Sequence, residues 1–145
     1  MSTSGTVTVV VGVDGSDHAE RALAWAIEEA KLRGARLHAV TAWHASMDYG
    51  SPGYAPTAAT TIEGSLRDVA HGIATAAAEQ ARAAGVEAEA TVHQGQAVVA
   101  LIDAAADAEL LVVGSRGHGG FAGLLLGSVG AQSAQHAACP VVIVR

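Results

Sequence analysis

An apolar, β-branched run with a polar ending stands near the N-terminus, where the chain reads TVTVVVGVDGS from Thr6 to Ser16. The part from Thr6 to Val13 is too short for a helix, and it is bounded by the turn-forming residues Asp14, Gly15 and Ser16. A continuous apolar run of this length is typical of a strand that is buried on both faces. The stretch therefore predicts a central strand of a parallel sheet.

Helices and strands alternate after this strand. The segment from Ser16 has helical spacing and ends at Gly34. We expect five residues to form its inward face: Ala22, Trp25, Ala26, Ala30 and Leu32. Further strands are predicted at Arg36 to Trp43, Val86 to Val92, Leu110 to Val113 and Val141 to Val144, and further helices at Thr60 to Ala84, Gln96 to Ala106 and Ser128 to Ala138.

This order of elements predicts an α/β fold. Short crossovers through a helix favour parallel, right-handed strand pairing. We therefore expect a single domain over residues 1–145, built as a five-stranded parallel, doubly wound, Rossmann-like sheet with helices on both faces. A loop rich in glycine, proline and serine is predicted from His44 to Thr57, and loops of this length are commonly functional.

The composition excludes several classes of protein. Fourteen acidic against eight basic residues leave a net charge of −6, and the bases are scattered, so nucleic-acid binding is not expected. The single cysteine, Cys139, excludes an intramolecular disulfide framework and a cysteine-rich metal site. The N-terminal apolar run lacks a basic flank and is far shorter than the roughly 20 residues that span a bilayer. We therefore expect a cytoplasmic protein that does not enter a membrane.

Ligands of doubly wound sheets bind outside the carboxyl ends of the strands, where the strand order reverses. The fourth strand is followed there by GSRGHGGFAGLLLGS, from Gly114 to Ser128. Gly114, Gly117, Gly127 and Ser128 are spaced as G-x2-G-x9-G-S between a strand and a helix. Glycine lets backbone N–H groups approach an anion, and a helix start favours negative charge, so the pattern indicates a phosphate site. The alternative is that Ser128 is a plain N-cap after a flexible loop.

Three side chains near these strand ends are candidates for ligand contacts. Arg116 has a fork of donors that suits a phosphate, although a surface position or a salt bridge explains it equally well. His118 lies beside it and contacts either phosphate or solvent. Asp14 can accept hydrogen bonds from an adenine amino group or a ribose hydroxyl, or it can help to cap the next helix, where Asp17 is the better cap.

Familiar enzyme motifs are incomplete. The spacing of Gly117, Gly119 and Ala122 resembles a dinucleotide fingerprint, but no acid follows Glu109 to hold a ribose. The sole lysine, Lys31, lies in the first helix, so a Walker A loop is absent. The histidines show no metal-ligand spacing, and a Mg²⁺ ion would be held through nucleotide phosphates. We predict no catalytic residue and no metal site on protein ligands.

Four segments resemble the universal stress protein family: VVGVDGS, VVGSRGHGG, LLLGSVG and CPVVIVR. The resemblance covers nearly the whole chain, and G-x2-G-x9-G-S is similar to the signature of the ATP-binding branch. It implies that Asp14, with its neighbours Val13, Gly15 and Ser16, faces the adenosine. It also implies that Val40 or Ala42 offers backbone contacts to adenine.

The same resemblance implies the phosphate site and the assembly. The phosphates of ATP would be surrounded by the loop residues Gly114, Ser115, Arg116, Gly117, His118, Gly127, Ser128 and Val129. A homodimer is implied in which the last strand, Val141 to Val144, pairs with its counterpart. A local departure from the family is Asp17-His18, where many relatives have a small residue or proline.

Three functions follow from these observations. The first is an ATP-binding regulatory module of a stress response with at most slow hydrolysis. The second is a slow ATPase or nucleotidyl-transfer enzyme that uses Asp14 as a base or charge stabiliser. The third is a structural dimer that binds no nucleotide, against which the glycine signature argues.

Overall fold

The computed structural model describes residues 6–44, 56–116 and 128–145, with the side chains of 56–63 left aside. The elements alternate as predicted: β1 (Thr8–Gly12), α1 (Asp17–Arg33), β2 (Arg36–Trp43), α2 (Pro56–Ala83), β3 (Ala88–Gln94), α3 (Ala97–Ala104), β4 (Leu110–Gly114), α4 (Ser128–His136) and β5 (Val141–Val144). The strands β2 and β5 have the predicted bounds. None of the helices in these ranges is long and apolar enough to cross a membrane.

The five strands form one parallel sheet in the order β3-β2-β1-β4-β5. The prediction that β1 is central is confirmed, because it pairs with β2 on one side and β4 on the other. Val9, Val10 and Val11 are completely buried, which explains the unbroken valine run of this strand. The strand order reverses between β1 and β4, so the ends of these two strands frame a crevice.

Helices cover both faces of the sheet, as predicted. Val9 and Val11 of β1 pack with residues of α1 and α2, whereas Val10 packs with residues of α3. Side chains of α4 and β5 join the second cluster. Alternate residues of one strand thus supply two separate apolar cores.

The inward face predicted for α1 is partly wrong. Ala22, Ala26 and Ala30 are buried, but Trp25 is 37% exposed and Leu32 is 83% exposed. The buried stripe is completed by three other residues, Ala19, Leu23 and Ile27. Successive helical residues are about 100° apart, which places Trp25 and Leu32 more than about 100° from the middle of that stripe.

Several predicted boundaries also move. α2 begins at Pro56 rather than Thr60, because proline is well suited to a first helical turn. The predicted loop is correspondingly shorter, and residues 45–55 lie outside the described part of the chain. β3 begins at Ala88 rather than Val86, because the Val86 N–H donates to the Ala81 carbonyl, 3.0 Å away, in the turn that follows α2.

Smaller shifts occur at other ends. β1 is shorter than Thr6 to Val13, and β4 extends to Gly114. Gln96 is the N-cap of α3, which ends at Ala104 rather than Ala106. α4 ends at His136, two residues before the predicted end.

Candidate functional site

A cleft of about 650 Å³ lies at the carboxyl ends of β1, β2 and β4, where the strand order reverses. Most of the site residues predicted from the sequence line it: Val13, Asp14, Val40, Ala42, Gly114, Ser115, Arg116, Ser128 and Val129. Gly15 and Ser16 are not among the lining residues; they form the turn beside it. Gly117, His118 and Gly127 lie outside the described part of the chain. The fold thus brings residues from the first 45 and the last 35 positions of the chain to one crevice.

The turn between β1 and α1 holds Asp14 in place. Its Oδ1 accepts hydrogen bonds from the Ser16 N–H at 2.9 Å and from the Ser16 hydroxyl at 2.5 Å. The Ser16 Oγ in turn accepts from the Ala19 N–H at 3.2 Å, which makes Ser16 the N-cap of α1. The prediction of Asp17 as the better cap is wrong, because Asp17 is already the first helical residue.

Backbone geometry distinguishes the two candidates at the end of β2. The Val40 carbonyl accepts from the Val13 N–H at 3.0 Å, towards β1, whereas the Trp43 carbonyl accepts from the Gly95 N–H at 2.8 Å, towards β3. In a parallel sheet the backbone groups of successive residues point to opposite neighbours, so Ala42 must direct its N–H and C=O towards β1.

The strand β1 has ended by this level. Gly12 is its last residue, and Val13 makes the last hydrogen bond to β2. Within the described ranges, the backbone N–H and C=O of Ala42 have no backbone partner. Ala42, rather than Val40, therefore offers a donor and an acceptor side by side to a ligand in the cleft.

The first two residues of the glycine-rich segment, Gly114 and Ser115, make close contacts and hydrogen bonds with other residues of the chain. A Cβ placed on Gly114 would lie 2.9 Å from both the carbonyl carbon and the carbonyl oxygen of His18. The next residue, Ser115, is 5% exposed and donates its N–H to the Val144 carbonyl at 2.7 Å. Its Oγ lies 3.2 Å from Nδ1 of His18. Ser115 can therefore offer a ligand its hydroxyl but not its N–H.

His18, which the sequence marked only as a departure from the family pattern, belongs to this part of the site. Its Nδ1 accepts a hydrogen bond from Nη2 of Arg21 at 3.3 Å, and Nε of Arg21 donates to the Arg145 carbonyl at 3.2 Å. The histidine thus stands between the cleft and the end of the sheet at β5. No local sequence signal relates positions 18 and 115, because they meet only when β4 lies beside β1.

Charge in the described part of the cleft is sparse. Of the residues there that line it, only Asp14, His44 and Arg116 have ionisable side chains. Arg116 makes no ion pair within the described ranges, so the salt-bridge interpretation of this residue finds no partner there. α4 begins at Ser128 on the edge of the cleft, which directs a helix N-terminus and its partial positive charge towards the space. No three described histidine, cysteine or acidic residues are grouped to hold a metal ion.

A largely apolar wall was missed by sequence reasoning. Ten further residues line the cleft with side chains that carry no charge: Ala19, Thr41, Trp43, Leu66, Val69, Ala70, Ile73, Ala97, Leu101 and Val113. Leu66, Val69, Ala70 and Ile73 repeat at helical spacing along α2. This spacing is a recognisable signal of an apolar stripe. The sequence could not tell that part of this stripe faces a cleft, because that depends on how far α2 extends past the sheet.

The family model described as "Universal stress protein family" matches residues 6–145. A universal stress protein of Mycolicibacterium smegmatis is 38% identical over 138 residues, which cover 94% of this chain and 45% of that protein. One from Thermus aquaticus is 37% identical over 142 residues, which cover 95% of this chain and 98% of that protein. The chain spans about half the length of several curated relatives that it matches.

Solved structures of universal stress proteins are also similar to this chain. A universal stress protein in complex with cAMP superimposes with a TM-score of 0.68 at 35% identity, covering 97% of both chains. The universal stress protein from Archaeoglobus fulgidus in complex with dAMP superimposes with a TM-score of 0.65 at 25% identity, covering 96% of this chain and 98% of that one.

Proposed function

Since this chain belongs to the universal stress protein family, we propose that its cleft binds an adenine nucleotide, with ATP as the principal ligand, and that occupancy acts as a regulatory signal. The complexes of two similar proteins with cAMP and dAMP support an adenine ligand. ATP is proposed because of the G-x2-G-x9-G-S spacing of Gly114, Gly117, Gly127 and Ser128.

The observation that carries the proposal is the backbone edge of Ala42. Its C=O can accept from the amino group of adenine, and its N–H can donate to the ring nitrogen N1. Guanine presents a carbonyl and a ring N–H at the same positions, which reverses both partners. One residue can therefore select adenine over guanine through the backbone alone.

We propose positions along the cleft for the remaining parts of the nucleotide. Asp14, held by Ser16, would accept from a ribose hydroxyl. The phosphates would lie against the N-terminus of α4, with Ser128 and Arg116 as donors. We propose Gly117, His118 and Gly127 as further phosphate contacts on the basis of the spacing. A Mg²⁺ ion would be carried by the phosphates and water.

Binding rather than turnover is favoured by the groups that line the cleft. The sole lysine, Lys31, lies on α1, where its Nζ is 3.2 Å from Oε2 of Glu28, away from the cleft. Asp14, the candidate base, already accepts two hydrogen bonds on Oδ1. Rapid phosphoryl transfer needs positive charge at the transferring group, and Arg116 is the only lysine or arginine among the described lining residues. We expect hydrolysis to be slow at most.

A homodimer through β5 is part of the proposal. Val141–Val144 pairs with β4 on one side and forms the edge of the sheet on the other, with all four residues half-buried. An apolar edge strand promotes association unless it is covered, and pairing with a second copy would cover it. We place the protein in the cytoplasm.

The proposal is tested on the protein purified without added nucleotide. Released small molecules are identified by chromatography and mass after denaturation, and melting is followed with ATP, ADP, AMP and GTP. We expect adenine nucleotide in the released fraction, and an upward shift of Tm with ATP but not with GTP. Gly117→Val and Gly127→Val should abolish the ATP shift. No nucleotide and no shift at millimolar ATP would overturn the proposal.

A further inference from the structure

The helix α2 is longer than the strands that it covers. Its 28 residues extend about 42 Å, whereas the seven residues of β3 extend about 23 Å. A short turn through Gly85 joins α2 to the start of β3, so the excess length of the helix projects beyond the opposite, carboxyl edge of the sheet. Leu66, Val69 and Ala70, close to the level at which the helix passes the edge of the sheet, line the cleft.

Trp43 is on the face of the sheet that α2 covers, and it lines the same cleft. Leu37 and Ala39 of β2 pack with α1 and α2, whereas Val40 and Ala42 pack on the other face of the sheet. By this alternation Trp43 belongs to the α2 face, and it lines the cleft directly after Ala42. Val69 is 60% exposed although it is apolar, and Trp43 and Leu66 are half-buried, so within the described part of the chain this wall is accessible to a ligand.

The backbone N–H and C=O of Ala42 do not discriminate between adenine and cytosine. Cytosine, like adenine, presents an amino group next to an unprotonated ring nitrogen, so the Ala42 N–H and C=O accept both bases and reject guanine. A base held at this edge turns one flat face towards α2. Discrimination between adenine and cytosine therefore has to come from contact with that face.

We propose that Trp43, supported by Leu66 and Val69, stacks on the base and selects a purine over a pyrimidine. A bicyclic base covers more of the indole than a single ring does, and stacking on an aromatic side chain contributes substantially to the binding of a base. Trp43 is thus a specificity-determining residue of the adenine site. This inference rests on the proposed function.

Fluorescence gives a direct readout, because Trp25 and Trp43 are the two tryptophans of the chain. Trp25 lies on α1 and is not among the residues that line the cleft. In Trp25→Phe, the emission of Trp43 should be quenched by ATP and unchanged by inorganic tripolyphosphate. Trp43→Phe, which leaves Trp25 as the reporter, should show no quenching. Quenching of Trp25 instead, or none in Trp25→Phe while ATP binds, would overturn the stacking.

Affinities for ATP, CTP, GTP and tripolyphosphate test the selectivity. Trp43→Ala should weaken ATP binding about tenfold or more, with a smaller loss for CTP and no change for tripolyphosphate. Trp43→Phe should recover most of the ATP affinity, and Trp25→Ala serves as the matched control with no change. Rejection of GTP should persist throughout, because it comes from Ala42.

The outcomes separate the two proposals. If the unmodified protein binds ATP and Trp43→Ala leaves the ratio of ATP to CTP affinities unchanged, the stacking proposal fails and the adenine site stands. An equal loss for ATP and tripolyphosphate in Trp43→Ala would assign Trp43 a purely structural role. If the unmodified protein does not bind ATP, both proposals fail.

Discussion

The carbonyl group of His18 lies against the α-carbon of Gly114, so closely that a Cβ there would be 2.9 Å from its carbon and its oxygen. The first turn of α1 and the end of β4 are therefore in direct backbone contact. This contact places Asp14 and Ser115 in one cleft, since each residue borders one of the two elements. Gly114 has a structural reason to be glycine, independent of any phosphate.

Gly114→Ala should destabilise the fold by about 1–3 kcal/mol, because backbone atoms cannot move aside as a flexible side chain can. The measurement is the free energy of unfolding in urea. Gly72→Ala is the matched control: Gly72 lies in the middle of α2 with no atom within 4 Å of an added Cβ. It should stabilise the protein by about 0.5–1 kcal/mol. Equal stability of Gly114→Ala and the unmodified protein would contradict the close contact.

Ala42→Pro should lower ATP affinity about tenfold while the protein stays folded. Proline removes the N–H that we assign to adenine N1, and that N–H has no backbone partner in the described part of β2 and its neighbours. Isothermal titration gives the affinity, and Ala42→Ser, which keeps the N–H, should bind ATP like the unmodified protein. Full ATP affinity in a folded Ala42→Pro would rule out this contact.

Asp14→Asn separates a ribose contact from a phosphate contact. The amide oxygen can still accept from the N–H and hydroxyl of Ser16, so the turn should remain. A hydrogen bond from a ribose hydroxyl to a neutral acceptor is weaker than one to a carboxylate, so adenosine and ATP should lose affinity alike, by about fivefold. Tighter ATP binding in this variant would mean that Asp14 faces the phosphates instead.

Arg116→Ala should weaken ATP binding by about tenfold to a hundredfold and adenosine binding hardly at all. The reason is the loss of charge-assisted hydrogen bonds to phosphate, which also makes the ATP affinity of the unmodified protein fall with salt. Titrations with ATP and adenosine at two salt concentrations measure both effects. Arg116→Lys should keep part of the affinity. Equal losses for ATP and adenosine would contradict a phosphate role.

Stability below neutral pH should depend on His38. Burial lowers the pKa of His38 below its usual 6.5, and this outweighs Glu89, which raises it, while His93 and Arg36 lower it further. The unfolded chain therefore binds a proton more readily than the folded one, so stability is lost as the pH falls from about 6.5 through the folded pKa.

Unfolding in urea between pH 7.5 and 5 measures this loss, and His38→Gln should make it smaller. Nε2 of His38 lies 2.7 Å from the Thr91 hydroxyl, a partner that a glutamine amide can also reach. His71→Gln, on the exposed side of α2, is the matched control for replacing one histidine by glutamine. An identical slope in His38→Gln and the unmodified protein would refute the assignment.

The order of elements and the centrality of β1 could be read from the sequence, because both follow from local patterns. A valine run of this kind is stable only when both faces of the strand are covered. Gly34 ends α1 because it adopts a φ of 64°, which glycine allows, and this is a local property of the chain. The positions of Asp14 and Arg116 at strand ends follow in the same way. The burial of single helix residues does not follow from such patterns, as Trp25 and Leu32 illustrate.

Contacts between distant parts of the chain were settled only by the tertiary structure. That the Ala42 backbone has no backbone partner in the described ranges depends on where β1 ends relative to β2. That the Ser115 N–H is already hydrogen-bonded depends on the position of Val144 beside it. The closeness of Gly114 to His18 and the reach of α2 past the sheet likewise depend on packing between elements. Hydrogen-bond direction and interatomic distance are set by the register and packing of elements far apart in the chain, whereas local residue patterns determine only the elements themselves.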